Sequence, residues 1–319
     1  MKGEWNFDDG TLGAFIGQDL RYIDNSLASR YQFGTTTQLG VPGINGKDAL
    51  VIHIPFTDRA TEGDIFKQIG LRANHGVAPN GGGQEANQWT LIMDVYWGTE
   101  GPSGFGSILQ THDFANPTDG DMFWRASDGS YGKGCCSLYD NISQEPGHNH
   151  KREEWARVVF SANIPEKRLA KYVNGFKHRE DVAGDGASID GRFGLPAEIF
   201  LFGDGDDNER TDAFVNAIQF REGAMTDDEV AALGGASSFG IPGAPAGGAR
   251  VVPPPKITLA VRVSGAEVVV TWNGGSRIKL QKKTALTDAQ WVDVANTEGQ
   301  STATIPITGA SGFYRAIRP

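Results

Sequence analysis

The sequence predicts an all-β protein made of one large sandwich and one small one. Three observations carry this. The 319 residues include 43 Gly and 15 Pro, a turn-rich composition that suits many short strands joined by loops. Hydrophobic residues make up 39%, with seven Trp and 17 Phe, enough for a large core. Apolar and aromatic segments recur with period-two patterning, and a single short segment carries helix signals.

The strand segments come in order. "DALVIHIPF" (48–56), "QWTLIMDVYWG" (88–98), "GSILQTH" (106–112) and "DMFWRA" (121–126) are followed by "EWARVVFSANI" (154–164), "RLAKYVNGF" (168–176) and "AFVNAIQF" (213–220). Gly, Asn, Asp and Pro clusters separate them, as strand ends require. In the second segment Trp89, Leu91, Met93, Val95 and Trp97 share one face, which predicts a core-facing row. The helix signal is Thr226-Asp227-Asp228-Glu229, a capping box followed by "VAAL" and closed by Gly234-Gly235. A Gly/Pro/Ala-rich stretch then predicts a flexible or extended spacer over 236–255. Strand patterning resumes over 256–319 and ends in "GFYRAIRP", which predicts a small sandwich. The large one covers 1–235.

Charge narrows the partners. The formal net charge is -10 and no basic stripe is visible, which argues against duplex nucleic acid and against an anionic membrane surface. No apolar run reaches the roughly 18 residues of a membrane-spanning helix, so no insertion is expected. "MKGEWNFDDG" enters folded-looking sequence at once. The chain is therefore either cytoplasmic or has lost a leader. Cys135 and Cys136 are adjacent and cannot form a disulfide framework. Two reduced thiols on opposite strand faces are expected.

Five motifs together resemble the laminin-G-like, concanavalin A-like jelly-roll family of secreted bacterial multidomain proteins. They are "GEWNFDDGTLGAFIGQDLRYID", "HGVAPNGGGQEANQWTLIMDVYW", "LQTHDFANPTDGDMFW", "EWARVVFSANIPEKRLAKYVNGF" and the closing "AFVNAIQFREGAMTDDEVAALGG". The C-terminal "LQKKTALTDAQWVDV" and "GFYRAIRP" resemble fibronectin-III-like sandwiches. The resemblance implies two antiparallel sheets, ligands on the rim or concave face, secretion, and frequent attachment to an enzyme. It also implies calcium bridging the N-terminal segment and the closing strand. The matching positions are Asp24 and Asn216, where the family more often has Asp at the second.

Calcium has a second candidate position. "LFGDGDDNERTD" puts five acidic side chains into the nine residues 204–212. Calcium takes six to eight oxygen ligands, and Asp204, Asp206 and Asp207 supply that chemistry. The EF-hand pattern fails, with Glu209 at its glycine position and Val215 at its final one. The alternative is a solvated acidic loop.

His148 and His150 are one residue apart, a spacing that serves zinc only with further ligands, and none completes the set. They are expected in a solvated loop. Gln110-Thr111-His112 resembles the Gln-x-His element of some alginate-lyase jelly rolls, but the accompanying Arg-x-Glu-x-Arg and Tyr-x-Lys strands are missing. Gln110, Asp121, Arg125 and Tyr139 lie on neighbouring strand segments. Polar groups beside aromatics on a sheet suit a glycan surface. Equally, Gln110 and Asp121 could satisfy each other inside the fold. The sequence thus points to a non-catalytic extracellular binding or adhesion module for a glycan or cell-surface ligand. A carbohydrate-active enzyme and a structural subunit of a surface layer or fibre are its rivals.

Overall fold

The computed structural model describes residues 1–56, 68–101, 104–111, 120–135, 138–140, 149–181, 189–203, 211–243, 259–272, 278–285, 287–288, 290–297, 300–307 and 312–317. Chain contacts divide it into a large unit, Met1–Phe7 with Leu12–Ala246, and a small unit that contains Gly247–Pro319.

The large unit has fifteen strands among its described residues. They are β1 Gly3–Trp5, β2 Arg21–Tyr22, β3 Gln32–Thr35, β4 Leu50–Ile54, β5 Leu71–Ala73, β6 Gln88–Trp97, β7 Phe105–Gln110 and β8 Asp121–Arg125. There follow β9 Ser130–Cys135, β10 Leu138–Asp140, β11 Trp155–Asn163, β12 Arg168–Val173, β13 Phe176–Asp181, β14 Ile199–Leu201 and β15 Ala213–Glu222. One sheet runs β13-β12-β11-β6-β15-β4-β3, with β1 also on β15; the other runs β10-β9-β8-β7-β14-β5-β2. Every pairing is antiparallel. The fold class is the predicted one at the level of architecture, all-β with two antiparallel sheets packed as a sandwich.

Burial follows the alternation. Trp89, Leu91, Met93, Val95 and Trp97 on β6 face Leu109, Met122 and Trp124 of the other sheet in one shared core. Near the edge of this interlayer the packing turns polar. Lys171 Nζ lies 2.8 Å and Lys133 Nζ 3.7 Å from Asp181 Oδ2, and Arg179 Nε lies 2.7 Å from Asp181 Oδ1. Burial alone would raise the Asp181 carboxyl, but the Lys171 and Lys133 ammoniums outweigh it and hold the group below the ordinary carboxylate range. Since Lys133 comes from β9 and Lys171 from β12, this carboxylate ties the two sheets together.

The outer face of the larger sheet is covered. Helix α1, Asp227–Leu233, starts at Thr226 with both halves of the capping box formed and ends at Gly234 with φ 62°. Its Val230 and Leu233 pack with Ile241 on Ile92, Val159, Ala170, Tyr172 and Ala217. Residues 236–243, which composition assigns to the spacer, belong to this cover instead. Arg157 Nη2 donates to the Gly240 carbonyl (3.0 Å), Arg221 Nη2 to that of Pro242 (2.6 Å), and Ala236 and Ile241 are buried. Residues 244–255 of the expected spacer lie outside the described set.

The small unit has β16 Leu259–Ser264, β17 Glu267–Trp272, β18 Lys279–Lys283, β19 Val292–Asp293, β20 Thr302–Pro306 and β21 Phe313–Ile317. They form two three-stranded sheets, β16-β17-β20 and β19-β18-β21, around Val270, Trp272, Ile278, Leu280 and Ile305.

Candidate ligand-binding face

The outer face of the seven-stranded sheet carries a row of residues set by register. Arg21 is opposite Arg72, Arg72 opposite Phe200, and Phe200 opposite Gln110. The row continues from Gln110 to Asp121, Gly134 and Tyr139. Directly opposed residues of an antiparallel pair share a face. The adjacent row, Leu71, Leu201, Leu109 and Met122, is in the core, so Arg72, Phe200, Gln110 and Asp121 face outward. Three of the four ligand residues expected from sequence, Gln110, Asp121 and Tyr139, therefore hold in-line positions on three strands.

Arg125 stands two alternations along β8 from Asp121, on the same face, and its Nε donates to Asp128 Oδ1 at 3.0 Å. Between them Phe123 is fully buried, and its ring lies over Gly132 of β9. A Cβ at Gly132 would come within 2.4 Å of that ring, so only glycine fits there. Gln110 is buried and Asp121 half-buried.

Sequence reasoning missed the other end of the row. Glu198 accepts from Arg21 and, at 3.0 Å, from Arg72 Nη1. The Arg72 guanidinium also lies 5.2 Å from the centre of the Phe200 ring, within cation–π range. The signal was weak because β2, β5 and β14 are two or three residues long, too short for a period to register.

Of the metal candidates, Asp24 and Asn216 each serve a backbone group in a different element. Asp24 caps the 3-10 turn Asn25–Arg30, its carboxylate accepting from Ser26 N at 2.8 Å. Asn216 sits in β15 where the register with β6 shifts, and its amide donates to the Leu50 carbonyl at 2.7 Å. The Asn216 Oδ1 is buried without a hydrogen-bond partner. No hydrogen bond joins Asp24 to Asn216. Among the described residues no group of three His, Cys, Asp or Glu is placed to hold a metal. One orphan oxygen falls well short of a calcium shell.

Asp204, Asp206 and Asp207 lie outside the described residues, as do His112, His148 and Cys136. The end of the acidic segment is described. Asp212 Oδ1 accepts from Glu100 N at 2.8 Å and its carbonyl from Gly98 N at 2.9 Å, closing the β6–β15 end. His150, expected in a solvated loop, is instead buried with both ring nitrogens engaged, on Tyr131 Oη and the Glu154 carbonyl. It is a core histidine.

No protein-family model matches the sequence, and no curated protein does. Similar solved structures include domain 4 of AbnA, a GH43 extracellular arabinanase from Geobacillus stearothermophilus, in complex with arabinotriose. It is 14% identical with a TM-score of 0.46, over 73% of this chain and 100% of that one. The binding domain of botulinum neurotoxin serotype G is 8% identical with a TM-score of 0.46, over 72% of this chain and 50% of that one. A heptameric SAP-like pentraxin from Limulus polyphemus is 16% identical with a TM-score of 0.40, over 57% and 79%. The chain thus spans half the length of the neurotoxin domain. These are likenesses of chain path at low identity and assign this chain no ligand. No helix among the described residues is long and apolar enough to cross a membrane.

Proposed function

We propose that the large unit is a non-catalytic, extracellular glycan-binding module, and that its binding surface is the outer face of the seven-stranded sheet. The row Arg72–Phe200–Gln110–Asp121 supports this reading, because it holds the part-exposed charges of Arg72 and Asp121 in line on one rigid sheet, over the buried Phe200 and Gln110. Sugars are bound by such mixed surfaces, where hydroxyls meet fixed polar groups and C–H faces meet apolar ones. The resemblance to secreted multidomain proteins supports an extracellular setting, beside an attached or associated enzyme. In this reading 1–235 is the binding domain and 256–319 a fibronectin-III-like sandwich joined to it.

A glycan array followed by calorimetry tests the proposal. Asp121→Asn keeps shape and removes charge, and should weaken the captured glycan about tenfold, near 1.4 kcal/mol, with an unchanged melt. A wild-type protein that captures no glycan, or a variant that binds as well as wild type, sinks it. Reducing-end and unsaturated-uronate assays on the bound glycan check the non-catalytic half. Turnover would move the protein to the carbohydrate-active enzymes.

Calcium at the 204–212 loop is part of the same proposal. A bound ion stabilises the native state by RT ln(1 + [L]/Kd), about 2.7 kcal/mol at a hundred times Kd. The melting midpoint should therefore rise in calcium and fall back with chelator. Identical midpoints would remove the ion from the proposal.

A further inference from the structure

At the edge strand β2 the polar row opens onto a cavity of about 490 Å³. Among the described residues its lining includes Leu20, Arg21, Tyr22, Asn25 and Arg72, with two guanidiniums and no carboxylate. Glu198 stands outside the lining and bridges both arginines. The trio therefore carries one net positive charge, and Arg21 has 54% of its side chain exposed. The size falls within the range of small-molecule sites. A guanidinium presents a planar fork of donors that matches a carboxylate, and two held side by side select for a flat anion. Leu20 and Tyr22 add apolar wall for the C–H face of a ring.

The cavity is continuous with the row. Arg72 is followed in register by Phe200, Gln110 and Asp121. Three strand spacings separate Arg72 from Asp121, about 14 Å, so a ligand touching both is an oligomer.

Resting on the glycan reading above, we propose that this cavity is a subsite for an acidic sugar, a uronate within an oligosaccharide. Its carboxylate pairs with Arg21 and Arg72 in competition with Glu198. Glu198 bridges the two guanidiniums and sets how strong an anion is needed to recruit them.

The test uses the full chain and oligomers of galacturonate, mannuronate and glucuronate, each beside its carboxyl-reduced neutral form. At least one acidic oligomer should bind wild type ten or more times as tightly as its neutral form. Arg21→Gln, at an exposed position, should erase that preference without moving the melt. Glu198→Gln should tighten the acid form severalfold, because it removes the competing carboxylate. A wild type with no preference for the acid forms, or an Arg21→Gln protein that keeps one, overturns the subsite. Sulfated dextran bound equally tightly through Arg21 also overturns it, because the site would then read charge and not a carboxylate. The two readings fail separately. Neutral forms that bind, and weaken in Asp121→Asn but not in Arg21→Gln, leave the glycan face standing without its acidic subsite. Absence of binding by all oligomers and by the array removes both.

Discussion

Arg157→Ala should lower the unfolding free energy of the large unit by about 3–5 kcal/mol, the range for breaking one side of a buried ion pair. Arg157 Nε and Nη2 bind the two oxygens of Asp94 at 2.7 and 2.8 Å, and both side chains are almost fully buried. Alanine would leave the Asp94 carboxylate buried without its guanidinium, while Ser237 N still donates to it at 3.1 Å. It would also orphan two carbonyls, because Arg157 Nη1 serves Leu233 O at 2.6 Å and Nη2 serves Gly240 O. The loss should be local as well as global. Residues 234–243 hang on these bonds, so limited proteolysis should cut there in the variant and spare the wild type. Urea titration followed by tryptophan fluorescence gives the magnitude. Asp94→Ala should cost a similar amount. The double replacement Asp94→Leu with Arg157→Met should cost less than the two single losses summed, since neither charge is then stranded. A loss below about 1 kcal/mol in Arg157→Ala would mean that the pair is not desolvated in solution.

That bond set also explains one place where sequence reading fails. The segment "GASSFGIPG" has no period and reads as spacer. Its attachment runs largely through backbone groups, the amide of Ser237 and the carbonyls of Gly240 and Pro242, which every sequence possesses. Arginines that receive such groups lie far away in the chain, and composition carries no trace of the match. The long strands behave in the opposite way. β6, β11 and β15 each bury one full alternation against the other sheet, so their period is written directly in residue type. Helix α1 was legible because its box is local, with Thr226 and Glu229 satisfying each other's backbone. The candidate site lies between these extremes. Gln110, Asp121 and Tyr139 were visible as polar residues in strand-like segments, but their alignment is a matter of register, which no single strand encodes. Arg21 and Arg72 were not visible, because their short strands pair with each other and reach the rest of the row only through β14, more than a hundred residues further along the chain.

The stability of the large unit should fall as pH drops from about 6.5 to about 4, with His150 contributing about 3 kcal/mol of that loss. The ring has one neutral arrangement that satisfies both nitrogens. Nε2–H donates to the Glu154 carbonyl at 2.7 Å, and Nδ1 accepts from the Tyr131 hydroxyl, which itself accepts from Trp97 Nε1 at 3.1 Å. Burial holds the His150 imidazole down to about 4, against the opposing pull of the Glu154 carbonyl, and the same burial pushes the Tyr131 phenol up. An unfolded chain takes up this proton below about 6.5, whereas the folded one refuses it until about 4. The unfolded state therefore binds more protons throughout that window, and stability rises with pH across it. The contribution is full above 6.5 and spent below 4. His75 is shifted the same way by burial and adds to the slope. Subtraction isolates the His150 share. His150→Asn cannot titrate, so its curve of unfolding free energy against pH should be flatter than wild type between 4 and 6.5. The two should run parallel above 7, offset by the lost hydrogen bonds. Parallel curves through the whole window would show that the imidazole titrates normally in the folded chain and is open to water.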